Sequence, residues 1–278
     1  MSDKLKTALI GIPLIIIITN WSSGSFFILV LAVIIAGLIE YNNLMEEKGC
    51  RPQKIIGLFC GIFIALSIYI FERRADVRTT GVVLTVFIVI SLFILLIKED
   101  SEGIINSTSV TLFGIFYIAW PISHFILLRD MRPYGRSFIF LLFFSTLSIN
   151  LIMSWIENKF TRKKMKFRTD ISPYIRLSVS GISGMAAVLV WSKILSLGFF
   201  KPWAVNLNYI SFTQSLVIGL LIGLCIQAGY LFNSLIKAGV SAKIRKELLP
   251  GYGSMLDMAS SFQFSVPVIY YYVNFFIV

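Results

Sequence analysis

From residue 211 to residue 259 the chain reads SFTQSLVIGLLIGLCIQAGYLFN and then SLIKAGVSAKIRKELLPGYGSMLDMA. The first part, 211–233, contains no Lys, Arg, Asp or Glu, and it exceeds the roughly 20 apolar residues that a helix needs to cross a bilayer. The second part, 234–259, carries Lys237, Lys243, Arg245 and Lys246, the turn Pro250-Gly251-Tyr252-Gly253-Ser254, and Asp257. An uncharged run of bilayer length that stops at a basic, glycine-bearing loop is a membrane span with its polar flank.

The same alternation of apolar run and charged break extends outward along the chain. Runs dense in Ile, Leu, Val and Phe fall at about 8–20, 25–42, 55–71, 79–97, 109–128, 137–156, 177–200, 211–233 and 260–278. The first two are joined by Asn20-Trp21-Ser22-Ser23-Gly24, a short polar turn that predicts a tight helical hairpin. Hydrophobic residues make up 57% of the 278 and charged ones 14%, against about 25% charged in an average soluble protein. Mean hydropathy is +0.84. A soluble domain is therefore excluded, and the fold class is an all-α polytopic membrane protein of about nine transmembrane helices.

Lys and Arg exceed Asp and Glu by 25 to 14, a net charge of +11, and their distribution orients the chain. Counted on alternate sides of the nine runs, 17 fall on the side of the N-terminus and 8 on the opposite side. Cytoplasmic loops retain positive charge, so the N-terminus is predicted cytoplasmic and the C-terminus exocytoplasmic. Topology accounts for the basic balance, and no nucleic-acid partner is expected. Cys50, Cys60 and Cys225 stand far apart with no C-x-x-C pair, the pattern of packing residues rather than of a disulfide or zinc framework. Lys4 and Lys6 precede the first run, but no small-residue cleavage site follows it, so that run reads as a retained anchor.

Without an internal repeat or long linker, the chain reads as one membrane domain, 1–278, with N-terminal helices at about 8–128 and a core at about 137–278. Its polar content concentrates in two cytoplasmic loops, 157–176 and 234–259. In the first, Lys159, Arg162, Lys163, Lys164, Lys166 and Arg168 fit either an anchor on anionic headgroups or a landing site for a phosphorylated lipid or nucleotide. In the second, Gly251 and Gly253 let backbone N–H groups approach a phosphate, and Asp257 offers a hard oxygen for Mg²⁺. The other reading makes this an interhelical turn with Asp257, Ser260 and Ser261 capping the last span. Glu40, at the cytoplasmic end of the second span, is expected to pair with a loop cation or cap a neighbouring helix. Lys193 is expected to snorkel to the opposite interface. His124 lacks acidic partners at matching depth and is expected to be hydrogen-bonded inside the bundle. So few ionisable groups within the spans also exclude a proton-coupled transporter, which needs a chain of carboxylates across the membrane.

The stretch from Ser234 to Asp257 resembles the signature of phosphatidate cytidylyltransferases, or CDP-diacylglycerol synthases: S-x-x-K-R, four residues, K-D, five residues, P-G-H-G-G-x-x-D-R-x-D. Ser234, Lys237, Lys243, Pro250, Gly251, Gly253 and Asp257 fall in register without a gap. Ala36-Gly37-Leu38-Ile39-Glu40-Tyr41 through Gly49 is similar to an early family segment, A-x-x-E followed by an aromatic residue, and Val266-Pro267-Val268 matches the last apolar helix. The resemblance implies the family's membrane fold, with CTP and phosphatidic acid as substrates, pyrophosphate as product, and divalent cations held by aspartates.

The acidic ligands of that pattern are mostly missing. K-D becomes Lys243-Ile244, D-R-x-D becomes Asp257-Met258-Ala259-Ser260, and G-D-L-x-E-S becomes Gly229-Tyr230-Leu231-Phe232-Asn233-Ser234. An aspartate segment of the sixth span becomes Asn150-Leu151-Ile152-Met153-Ser154, and S-P-x-K-T becomes Ser172-Pro173-Tyr174-Ile175-Arg176. A metal must neutralise a triphosphate, and neutral side chains are poor substitutes for carboxylates. The expectation is a protein with the cytidylyltransferase fold, lost or altered catalysis, and a role in binding lipid or nucleotide or in partnering another membrane protein. The alternative is an active, diverged phosphatidate cytidylyltransferase in which Asp257 binds Mg²⁺ and acts in catalysis, Lys237, Lys243 and Arg245 contact phosphates, and Gly251 and Gly253 shape the turn. A homodimer and a prokaryotic inner membrane are the implied assembly and location. Glu40, Glu157 and Glu247 are the remaining carboxylates that could substitute at the site.

Overall fold

The computed structural model describes residues 13, 15–71, 85, 86, 89, 101–160, 172–197, 207, 210–238 and 253–277. Every element among them is helical: α1 (Ser23–Glu47), α2 (Lys54–Phe71), α3 (Ser101–Gly114), α4 (Trp120–Asp130), α5 (Gly135–Phe160), α6 (Pro173–Leu195), α7 (Phe212–Lys237), α8 (Met255–Gln263) and α9 (Ser265–Phe276). A π-helical turn, Ile115–Ala119, joins α3 to α4 without interrupting the rod. It lies just before Pro121, which has no N–H to give to the Tyr117 carbonyl and whose ring crowds that carbonyl. The helix widens there instead of breaking.

Among the described residues five helices are long and apolar enough to cross a membrane: Ser23–Glu47, Ile105–Asp130, Gly135–Glu157, Pro173–Leu195 and Phe212–Lys237. They correspond to the predicted spans 25–42, 109–128, 137–156, 177–200 and 211–233. Of the predicted span 79–97 only residues 85, 86 and 89 are described, and of 8–20 residues 8–12 and 14 lie outside the described residues. The predicted last span is a pair of helices, α8 and α9, offset at Phe264. In place of the expected turn at 20–24, one non-helical residue, Ser22, separates a helical stretch at 15–21 from α1. Its hydroxyl accepts the Ser25 N–H while the Ser25 side chain accepts the Ser22 N–H, so two otherwise orphaned donors are satisfied.

Small residues draw α6 and α7 into direct backbone contact. A Cβ on Gly184 would overlap the Gly219 carbonyl, one on Gly219 the Gly184 carbonyl, and one on Gly223 the Ser180 carbonyl. Ser180 Oγ then donates to the Gly223 carbonyl at 2.6 Å. Helices in lipid gain little from burying apolar surface against one another, so backbone approach and interhelical hydrogen bonds hold such a seam. Bulkier contacts fill the rest of the bundle. Phe144 stacks on Trp191 with centroids 4.5 Å apart, and Trp191 Nε1 donates to Ser148. Among the cysteines, Cys60 is buried in the core and all three are free thiols.

His124 is fully buried, as its sequence context predicts. Its Nδ1 lies 2.8 Å from the Trp120 carbonyl, which only accepts, so Nδ1 carries the proton and Nε2 accepts from the Tyr271 hydroxyl at 3.3 Å. Lys193 is exposed in the last turn of α6.

Candidate functional site

Lys237 is the last residue of α7, not part of the loop where the sequence reading places it, and its side chain is 9% exposed. Nothing in Asn233-Ser234-Leu235-Ile236 breaks a helix, so α7 continues one turn past its apolar run and carries the ammonium inward. There Nζ meets Asp257 Oδ1 at 2.8 Å, Glu40 Oε1 at 3.3 Å and the Ser254 hydroxyl. Glu40 comes from α1, Lys237 from α7 and Asp257 from α8, so three helices distant in sequence converge on one cation.

Asp257 is placed by the start of its own helix. Ser254 is the N-cap of α8, accepting the Asp257 N–H, while Asp257 Oδ2 accepts the Ser254 N–H at 3.0 Å and its hydroxyl at 3.1 Å. Gly253 precedes it at φ +77, a left-handed conformation that L side chains rarely adopt, and a Cβ there would strike the Asp257 carboxylate. On the other oxygen, Asn233 Nδ2 donates to Asp257 Oδ1 at 2.6 Å. Glu40 Oε2 accepts the Leu256 N–H at 3.0 Å, a second acceptor at the N-terminus of α8. Glu40 therefore does both things expected of it: it pairs with a cation and caps a neighbouring helix.

Burial alone would push the Asp257 carboxyl up. The Lys237 hydrogen bond, the Ser254 N–H, the Lys237 charge and the Ser254 hydroxyl together outweigh it and hold the group below the ordinary carboxylate value. The cluster of Glu40, Asp257 and Lys237 carries one excess negative charge, and Asp257 is its most open member, with 39% of its side chain exposed.

A divalent cation does not fit this donor set. All four carboxylate oxygens already accept from Lys237, Asn233, the Ser254 N–H and hydroxyl, or the Leu256 N–H. The described residues contain no group of three His, Cys, Asp or Glu able to hold a metal. The substitutions read from the sequence explain why. Asn233 stands where the related signature has Glu and turns a would-be acceptor into a donor that consumes an Asp257 oxygen. Ser260, in place of a second Asp, donates to the Asp257 carbonyl of its own helix at 2.8 Å. Asn150 donates to Ser261 at 3.3 Å.

A second buried cation, Arg176, lies in the first turn of α6. It pairs with Glu157 of α5, and its guanidinium carbon stands 5.0 Å over the Tyr230 ring of α7. Glu157 is thus committed to Arg176, and Glu40 is the carboxylate that reaches Asp257. Lys243, Arg245, Glu247 and Gly251 lie outside the described residues. Sequence reading missed Asn233, Ser254 and the Leu256 N–H as parts of the site. The Ser254-x-x-Asp257 spacing is a capping-box signal that marks Ser254.

The model of the cytidylyltransferase family matches residues 3–276. The phosphatidate cytidylyltransferase of Synechocystis is 25% identical, with 98% of this chain and 96% of that protein covered. The enzyme of the same name from Bacillus subtilis is 23% identical, with 99% and 98% covered. A third relative, the uncharacterized protein YnbB of Escherichia coli, is 26% identical over 63% of this chain and 57% of its own length. With a family match over nearly every residue and apolar helices of spanning length, the chain is an integral membrane protein resembling CDP-diacylglycerol synthase, and it belongs to the cytidylyltransferase family.

Proposed function

We propose that this protein binds phosphatidate at the cytoplasmic ends of α1, α7 and α8 and does not carry out metal-dependent cytidylyl transfer. The observation that supports the reading is the saturation of Glu40 and Asp257 by donors from the chain itself. Transfer to a phosphate requires charge on the nucleotide to be neutralised at the reacting atoms. Here the ammonium of Lys237 serves to join three helices. Attraction for an anionic headgroup comes from the basic stretches 157–176 and 234–259, Lys243 and Arg245 included, with Gly251 and Gly253 shaping the turn between them and Asp257. Under this reading the chain has nine spans, a cytoplasmic N-terminus and an exocytoplasmic C-terminus, lies in a prokaryotic inner membrane, and acts on phospholipid metabolism through a membrane partner or a second copy of itself.

One observation favours a second reading. The similarity to two phosphatidate cytidylyltransferases runs nearly end to end, as an active enzyme with CTP and phosphatidate as substrates would show. Its Mg²⁺ ligands would then have to come from residues beyond those described.

One assay separates the two. The purified chain in detergent receives phosphatidate, CTP and Mg²⁺, and CDP-diacylglycerol is sought alongside phosphatidate binding, with Asp257→Asn as control. Binding without product is the expected result. Product that disappears in Asp257→Asn establishes the active enzyme instead.

A further inference from the structure

Tyr117 is a buried polar side chain that nothing above has used. It belongs to the π-helical turn Ile115–Ala119 that Pro121 forces on the rod from α3 to α4. Such turns add a residue to the helix and re-aim the side chains they carry, and they recur at functional sites. Tyr117 is 5% exposed, and its hydroxyl has no hydrogen-bond partner among the described residues. A phenol in an apolar bundle ordinarily finds one.

Its surroundings say what the partner is. The ring stacks on Phe113 at 5.4 Å and lies 6.4 Å from Phe232 and 6.2 Å from Phe264. Phe113 and Phe232 are 42% and 46% exposed, so they form part of the apolar outer wall of the bundle. The Phe264 contact sets Tyr117 against the helix that carries Asp257, the most open member of the cluster. Phe232 is five residues below Lys237 on α7, and Phe264 seven below Asp257 in the α8–α9 pair. Phe232 and Phe264 thus lie deeper than the charged cluster, and Tyr117 packs against both. A glycerophospholipid likewise sets its acyl chains below its phosphate, with the glycerol ester between them.

We infer that Tyr117 is a lipid-binding residue whose hydroxyl donates to an oxygen in the glycerol–phosphate region of the bound phospholipid. The rings cover the hydroxyl in this state, and the lipid reaches it when half-exposed Phe113 or Phe232 swings aside. The inference rests on the proposed phosphatidate binding and adds the residue that reads the lipid between headgroup and chain.

Tyr117→Phe removes one oxygen and nothing that the protein itself bonds. In EDTA, binding of dioctanoyl phosphatidate should weaken by about three- to tenfold, the loss of one hydrogen bond. The melting temperature without lipid should stay the same or rise, because an unpaired buried hydroxyl has gone. A diether phosphatidate identifies the acceptor: a penalty that vanishes with it assigns the ester carbonyl, and one that persists assigns a phosphate oxygen. Equal affinity of Tyr117→Phe and the parent for dioctanoyl phosphatidate would overturn the inference and leave phosphatidate binding standing. A lower melting temperature would overturn it too, by revealing a structural partner for the hydroxyl. Failure of the parent protein to bind phosphatidate would bring down both readings together.

Discussion

Two buried cations hold the two ends of α1, and they do it with opposite charge balance. Near its start, Arg129 Nε and Nη2 donate to the Thr19 carbonyl at 3.2 and 3.0 Å, and Nη1 pairs with Asp130 at 2.7 Å. Ser23 of α1 donates to the same aspartate at 2.7 Å, and the guanidinium lies 5.7 Å over the Phe26 ring. One cation meets one carboxylate, and the knot is neutral. At the far end Lys237 meets two carboxylates, and one negative charge is left over beside a partly open aspartate. A neutral, closed knot is sufficient to fix a helix. The second carboxylate at Lys237 exceeds what such a joint requires, and the function proposed above puts the lipid at that end.

Removing each cation in turn is the most forceful way to break the comparison. Lys237→Met leaves Glu40 and Asp257 facing each other at the end of the bundle, and losing one partner of a buried ion pair typically costs about 3–5 kcal/mol. Unfolding in micelles should register that loss, and adding Asp257→Asn should restore part of it. The matching change at the other end, Arg129→Met, leaves a single carboxylate, Asp130, to which Ser23 still donates, and takes two donors from the Thr19 carbonyl. The same measurement should give about 1–3 kcal/mol, the range for unpaired buried polar groups. Equal losses at the two sites would remove the distinction.

Acid should sharpen it with a smaller effect. The Asp257 carboxyl is held below its ordinary value of 3.8, so the unfolded chain takes up the proton first on acidification. The stability this group lends is complete above pH 3.8 and drains away as pH falls toward the lower folded value. A melting curve followed from pH 6 to pH 3 should lose this contribution only at the acid end. Asp257→Asn should flatten that part of the profile, and an unchanged profile would contradict the assignment.

The membrane architecture was legible because lipid imposes length and composition on any span, and the runs at 25–42, 137–156 and 211–233 satisfy both. Asp257 and the glycine turn were legible because positive φ and helix capping select particular residues locally. Glu40 could be expected to pair or cap, but only the fold shows that it does both, since its partners are 197 and 216 residues away. Lys237 was assigned to a loop because charge suggested the end of a span, whereas nothing in the backbone chemistry of that turn stops a helix. Tyr117 escaped notice because a π-turn has no sequence period, although Pro121 four residues on is its physical cause. The donor role of Asn233 depends on what faces it across two helices, which composition does not encode.

The contact between α6 and α7 bears on the end of the bundle that carries the basic stretches of sequence. The two long basic stretches of sequence are anchored at its ends: one leads into Pro173 at the start of α6, and the other leaves from Lys237 at the end of α7. Because the glycines let the two backbones touch, neither helix can slide or roll without the other. The pair works as a gauge block that fixes the distance between Pro173 and Lys237, and under the proposed function this is the spacing a headgroup meets.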